Sequence, residues 1–415
     1  MDFTPTDEQR MIAEGVRAFI EKELHPHEET VERLDTVPDD LFEEIRRKAI
    51  TSGYYALNMP TEHGGGGLNA SERAFAEIEF GRVSRALGII CNRPAPILKL
   101  CQGDQIATYL APTARGERWE CFALTEPGAG SDARAIATRA VADGGDYVIN
   151  GTKQFITMAM RADFIIVFAV TGTDQTPRGE RKRITAFLVD KDTPGISVTP
   201  LDVLSNRGMK SCIISFEDVR VPARNILGEE GGGFALAKNW IFSGRVMLAA
   251  NCIGLAERAM AEAARWANTR RAFGHPIGSY QGTAFKFADM AMEIHATRLL
   301  VHDAAAKMDA GTITQREASQ VNLFGSEMVG RVTDNAIQVL GGMGVTKDMP
   351  TGREYALKPS ARCWRSRSTI RPPTPSTRRP AATSTQRSPG FTRMPTCAVR
   401  SSRRRANGCF LPAGT

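Results

Sequence analysis

The chain has 415 residues, is 42% apolar and 24% charged, and carries eight cysteines and a formal net charge of +7. That length is enough for two or three domains with sizeable cores. It holds no run of eighteen apolar residues, so no membrane-spanning helix is expected, and its acid-bearing start has no apolar segment of a secretory signal. The cysteines lack CxxC spacing and read as reduced thiols of a cytosolic protein rather than a disulfide framework.

The net charge misleads as a guide to partners. Residues 351–415 hold 14 Lys+Arg and one acid, Glu354, which leaves 39 Lys+Arg against 45 acids in residues 1–350. An acidic body with a basic tail does not point to nucleic acid as the body's partner. The tail also offers little aromatic interleaving around Trp364 and Phe391, so a single-strand binder ranks last among the readings.

Residues 1–118 read as helical. In DEQRMIAEGVRAFIEKEL the residues Met11, Ile12, Val16, Phe19 and Ile20 fall on roughly one face. Pro38-Asp39-Asp40 opens a second helix, and SERAFAEIEFGRVSRALGII, from Ser71, predicts another. The glycine run HGGGG, 63–67, has the composition of an esterase oxyanion loop, but no GxSxG supplies a nucleophile.

From about Trp119 the period changes. YVINGTKQFIT, DFIIVFAV, RITAFLVD, ISVTPL and CIISFEDVRVP are short, β-branched and bounded by turn residues, which predicts a β domain over 119–228. The polar stretch TDQTPRGERKR, 173–183, reads as a hairpin loop. Long helical patterns return over about 234–272, 281–310 and 314–340, giving a C-terminal bundle over 229–350 with room for a fourth helix. The fold class is therefore α+β, with a barrel-like β domain inserted between helical parts. Residues 351–415, rich in Arg and Pro, are expected to be disordered.

Four local patterns carry chemistry. FALTEPGAGSDARAIATRA, 122–140, makes a Gly-rich turn whose backbone N–H groups could face an anion, with Thr125 and Ser131 as hydroxyl donors; a plain strand connection has the same composition. In KQFIT, Phe155 and Thr157 would share one strand face, as on any half-buried strand, and could meet a flat ring there. In RRAFG, Arg270 and Arg271 stand near a helix end and could grip a pyrophosphate. AIQVLGGMG runs a helix into Gly341-Gly342, where bare backbone can approach a ligand or simply stop the helix. His295 and His302, seven apart, lack the neighbours of a tetrahedral metal site and read as packing or solvated residues.

Together, in this order, LTEPGAGSD, KQFIT, RRAFG, the later Gln281 and QVLGGMG closely resemble the acyl-CoA dehydrogenase family over about residues 1–350. The resemblance implies FAD, an acyl-CoA substrate, a homotetramer or homodimer, and an electron-transfer flavoprotein or other acceptor. Members oxidise the Cα–Cβ bond of a thioester, a carboxylate taking the α proton while hydride passes to flavin N5. By the same resemblance Phe122, Leu124, Thr125, Gly130, Ser131, Phe155, Ile156 and Thr157 would hold the flavin of the same subunit, and Ser131 and Arg245 would serve the substrate. Arg270, Phe273, Gln281, Gln338, Gly341 and Gly342 would bind the FAD of a neighbouring subunit. Pro94-Ala95-Pro96-Ile97-Leu98 would line the acyl pocket, and HGGGG would be a surface turn.

This sequence departs from the family in three places. Phe155 stands where Trp is usual. The common base position, about 27 residues after Gln338, falls on Arg365, and the minority position, just before Arg245, is Gly244. Neither is a carboxylate. Composition, charge and resemblance all fail at about Thr351, which reads as a change of coding frame or a divergent tail. The expected function is an acyl-CoA dehydrogenase impaired by loss of its base. The alternatives are a non-catalytic flavin or acyl-CoA binding protein and a flavin enzyme of the same fold with other chemistry, such as an acyl-CoA reductase.

Overall fold

A computed structural model describes residues 4–346 except 92, 178 and 204–206. The tail, the expected fourth helix and Arg365 lie outside the described residues.

The first helices are α1 (Asp7–Phe19), α2 (Glu28–Leu34), α3 (Asp39–Thr51), α4 (Ala70–Phe80), α5 (Arg85–Gly88) and α6 (Ala111–Ala114). Thr6 opens α1 with a reciprocal capping box to Gln9, and Asn69 does the same for α4 with Glu72. These pairs satisfy N–H groups that a helix start leaves without partners. Val16, Phe19 and Ile20 are buried as the periodicity predicts, but Met11 is 65% exposed because it lies well round the helix from Val16 and Ile20, while Ile12 beside it packs on the core. The helix predicted from Ser71 is broken: α4 stops at Phe80, and the chain turns through Gly81 before the short α5.

The β domain contains β1 (Glu120–Ala123), β2 (Arg139–Asp143), β3 (Asp146–Thr157), β4 (Phe164–Thr176), β5 (Gly179–Asp190), β6 (Ile196–Leu201) and β7 (Ser211–Pro222). They form one sheet in the order β1-β4-β2-β3-β7-β6, with β5 paired to β4, and the sheet curls into a half-barrel. Its inner face buries Ile149, Ile165, Val167, Phe187, Ile214 and Phe216. The stretch 173–183 is mostly strand rather than loop. β4 and β5 stay paired out to Thr176 and Gly179, with Asp174 bonded to Arg183. Polar side chains there face solvent on both sides of a projecting ribbon, so composition alone reads as loop.

The bundle is α7 (Gly233–Thr269), the small hairpin β8 (Arg271–Ala272) and β9 (His275–Pro276), α8 (Gln281–Asp309) and α9 (Gln315–Leu340). Two glycines set how α4 meets α7. A Cβ on Gly81 would stand 2.1 Å from the Asn251 carbonyl oxygen, and one on Gly254 would stand 1.8 Å from that of Ile78. Only bare backbone permits that approach. His302 stacks on Phe75 at 4.6 Å, and burial pushes its imidazole down to about 4, which makes it a packing residue of the bundle. Among the described residues no helix is long and apolar enough to cross a membrane, and no group of three or more His, Cys, Asp and Glu side chains could hold a metal ion.

Candidate active site

The turn after β1 is fastened from below. Glu126 is buried and accepts from the Ala137 N–H at 2.6 Å, the Thr138 N–H at 3.0 Å and Lys153 Nζ at 2.8 Å. Lys153 Nζ also donates to the Leu124 carbonyl at 3.1 Å, and the Gln154 N–H to that of Thr125 at 2.9 Å. Lys153 is fully buried, and burial pushes its ammonium down to about 8 against the pull of Glu126. Burial would raise the Glu126 carboxyl, but Lys153 and the two N–H donors outweigh it and hold it below the usual range. The pair fixes the backbone of Leu124 and Thr125 before any ligand arrives.

Above this anchor lies a cleft of about 1040 Å³ between the half-barrel, α4 and α7. Of the predicted flavin residues, Phe122, Leu124, Thr125, Phe155, Ile156 and Thr157 line it. Phe155 has φ +60° and is 57% exposed. The ladder to β7 slips between Lys153 and Ile156, and this irregularity, not simple alternation, presents all three residues of the Phe155-Ile156-Thr157 run to the cleft. A backbone strained at a site usually marks a functional constraint. The Thr125 and Thr157 hydroxyls make no hydrogen bond to the described residues, so both are free to serve a ligand beside the Phe155 ring. An aromatic platform with unengaged donors on either side fits a flavin ring.

Helix α7 supplies the opposite wall with Trp240, Ser243, Gly244 and Met247. Trp240 stacks on Phe122 with ring centroids 4.0 Å apart, a contact that sequence reasoning missed because it joins two domains. Gly244 faces the cleft, and a Cβ there would meet nothing within 4 Å. Arg245 is turned away toward α9, where it donates to Ser319 Oγ at 2.7 Å. Gly130 and Ser131 are exposed and do not line the cleft. Of the Pro94–Leu98 stretch, Ala95 and Pro96 do.

The remaining predicted residues stand apart from this cleft. Arg270, Phe273 and Gln281 sit on and beside the β8–β9 hairpin, and Gln338, Gly341 and Gly342 at the end of α9; all six are exposed. One apolar cluster, in which Ala267 and Ile277 pack with Ala336 and Val339, holds these two segments at the same end of the bundle. Phe273 is 94% exposed at φ +48°, a costly placement for an aromatic side chain that nothing among the described residues covers.

The α4 side of the cleft was not legible in the sequence. Glu77 of α4 is buried and pairs with Arg73 Nε at 3.3 Å and Arg93 Nε at 3.2 Å. Asn251 Nδ2 donates to its other oxygen at 2.7 Å. Burial would raise this carboxyl, but Arg93 and Arg73 hold it at about 2. Glu77 is therefore a structural group that is ionised at neutral pH, and a weak base.

The comparisons agree with this geometry. The family profiles described as acyl-CoA dehydrogenase N-terminal, middle and C-terminal domains match residues 6–117, 121–219 and 231–365, the last running past the point where the composition changes. The 3-(aryl)acrylate reductase of Clostridium sporogenes is 38% identical over 84% of this chain and 92% of its own length. The human mitochondrial short-chain specific acyl-CoA dehydrogenase is 37% identical over 83% of this chain and 84% of its own. The butyryl-CoA dehydrogenase of Megasphaera elsdenii superposes with a TM-score of 0.78 at 31% identity, covering 86% of this chain and 94% of that one. The chain belongs to the acyl-CoA dehydrogenase family, a family of FAD-dependent oxidoreductases.

Proposed function

We propose that the cleft binds the flavin of FAD against Phe155 and, beside it, the thioester end of an acyl-CoA, and that this chain removes the α proton slowly. The observation that carries the reading is the Phe155 platform with unengaged Thr125 and Thr157 hydroxyls in one cleft with Gly244. When bound, FAD supplies the acceptor for a hydride from Cβ. Thr125 and Thr157 donate hydrogen bonds to its polar edge, and Phe155 packs on its ring. Lys153 and Glu126 hold the Leu124–Thr125 backbone in position. A base must stand within reach of the α carbon. Gly244, at one of the two base positions, gives the cleft no carboxylate, and the other position holds Arg365. A guanidinium stays protonated at any working pH.

Arg270, Phe273, Gln281, Gln338, Gly341 and Gly342 are assigned to the FAD of a second copy, which would cover the exposed Phe273, with an electron-transfer flavoprotein as acceptor. Purified protein supplied with FAD is expected to show the flavin band near 450 nm and to bind butyryl-CoA with little bleaching. A folded protein that stays colourless would defeat the cofactor assignment, and rapid bleaching would defeat the missing-base argument. The absent carboxylate also favours a second reading, a flavin enzyme running in the reductive direction. Bleached protein reoxidised by an enoyl-CoA faster than it is bleached by the saturated ester would select it.

A further inference from the structure

Loss of a proton from the α carbon of a thioester sends an electron pair toward the carbonyl oxygen. A site for this chemistry therefore needs a hydrogen-bond donor aimed at that oxygen, whichever group takes the proton. Thr125 and Thr157 stand on the half-barrel wall of the cleft, where the flavin is assigned, and the wall that carries Gly244 belongs to α7.

Three side chains on the α7 wall carry N–H or O–H groups: Trp240, Ser243 and Asn251. Two of them are engaged. Ser243 Oγ donates to the Trp240 carbonyl at 3.0 Å. Asn251 Nδ2 donates to the Glu77 carbonyl at 2.8 Å and to Glu77 Oε2 at 2.7 Å, while its Oδ1 accepts from Arg85 at 2.9 Å. Trp240 is the group left over. Its indole N–H donates to nothing among the described residues, yet it is not one of their sealed-in polar atoms, so a ligand in the cleft can reach it. An indole N–H that leaves water usually finds an acceptor. The ring itself is held in place. Phe122 stacks on it at 4.0 Å, and Phe122 packs in turn on Phe168 at 4.8 Å. Trp240 lies one helical turn before Gly244 on the same face of α7, roughly 6 Å along the axis.

From this arrangement we infer that Trp240 is a catalytic residue, which donates its indole N–H to the thioester carbonyl oxygen and stabilises the negative charge that gathers there as the α proton leaves. The inference rests on the reading above, in which the thioester lies between Phe155 and Gly244. Position 244 then flanks the α carbon, and the carbonyl is bonded to that carbon. The Phe122 stack sets the donor beforehand, so little has to rearrange when charge develops. Because Trp240 acts on the oxygen and not on the proton, it serves a chain without its base as well as one with it.

The test uses acetoacetyl-CoA on the FAD-loaded full chain. The α carbon of this ligand lies between two carbonyl groups and loses its proton to water without a protein base, leaving an enolate. A pH titration of the complex, followed by the enolate absorbance and the flavin spectrum, gives the ionisation midpoint of the bound ligand. Trp240→Phe keeps a ring on Phe122 and removes the N–H. It is expected to raise that midpoint by about one to two pH units and to leave FAD affinity as it was. An unmoved midpoint would overturn the inference while leaving the acyl-CoA reading intact. A fall in FAD affinity of roughly tenfold or more would assign the N–H to the flavin, and would also overturn it. A second measurement needs no variant: in the parent chain labelled at its indole nitrogens, one indole proton resonance is expected to move downfield when acetoacetyl-CoA is added above the midpoint. If none moves, the inference fails even where Trp240→Phe does not fold. Failure of acetoacetyl-CoA to bind the flavin-loaded protein would overturn both readings.

Discussion

Lys153 Nζ stands 2.8 Å from Glu126 Oε1, with both side chains buried beneath the turn that follows β1. The two residues are 27 apart, and each also holds backbone of a segment other than its own: Lys153 the Leu124 carbonyl, Glu126 the N–H groups of Ala137 and Thr138. The pair is therefore a rivet through three strand ends.

Removing one half should cost far more than removing both. Glu126→Gln leaves a buried ammonium without its counter-charge and is expected to destabilise the protein by about 3–5 kcal/mol. The double variant Glu126→Gln with Lys153→Met should recover part of that loss. Urea denaturation measures both. If the double variant is as unstable as the sum of the singles, the two residues are not coupled as described.

Glu77 sets an acid limit. Its folded-state pKa of about 2 lies below the ordinary 4.5, so its contribution is fully present above about pH 4.5 and is lost as pH falls from there toward 2. The size of that contribution is on the order of 3 kcal/mol. Glu77→Gln should therefore be much less stable than the parent at pH 7, with the gap narrowing as pH falls through 4. Denaturation midpoints at pH 7, 5 and 4 check this, and a gap independent of pH would remove Glu77 from the account.

Gly244 offers a way to test the proposed loss of the base. The position faces the cleft and has room for a side chain. Gly244→Glu is expected to fold, to gain a little helix stability, and to raise the rate of flavin bleaching by butyryl-CoA by about 10²–10⁴-fold. Stopped-flow absorbance at 450 nm measures the rate. A well-folded variant with no gain would show that the thioester does not lie beside Gly244.

Arg270→Ala and Gln281→Ala are expected to weaken FAD retention by roughly ten- to a hundredfold for the charged contact and less for the amide. Ser71→Ala is the comparator. Its hydroxyl bonds Asp309 at 2.5 Å and ties α4 to α8, and neither residue lines the cleft, so it should affect melting rather than FAD. Equal FAD affinities in all three would mean that the bundle end does not serve the cofactor.

Much of the fold was legible because the relevant signals are local. Short β-branched runs bounded by turn residues located the strands β3 to β7, and long periodic stretches located α7, α8 and α9. The misreadings have physical causes. The 173–183 ribbon is strand with a loop's composition, and α4 ends at Gly81, where the backbone meets α7, 170 residues away, a contact no local pattern announces. The same division holds at the site. Leu124, Thr125, Phe155 and Thr157 sit in compact motifs, whereas Trp240, Arg85 and Asn251 matter only through partners from other elements. Arg73 and Glu77 look in sequence like an ordinary surface pair at i,i+4, and only their burial shows otherwise.

The crossing of α4 and α7 limits how the cleft can respond to what enters it. At Gly81 and Gly254 the two helices touch backbone to backbone, with no side chain between them that could change rotamer and yield. Gly81 is itself part of the cleft lining. A wall of side chains gives way to an oversized guest at modest cost, but here an outward step would have to move a whole helix. That stretch of the wall is therefore a fixed one, a ruler rather than a glove.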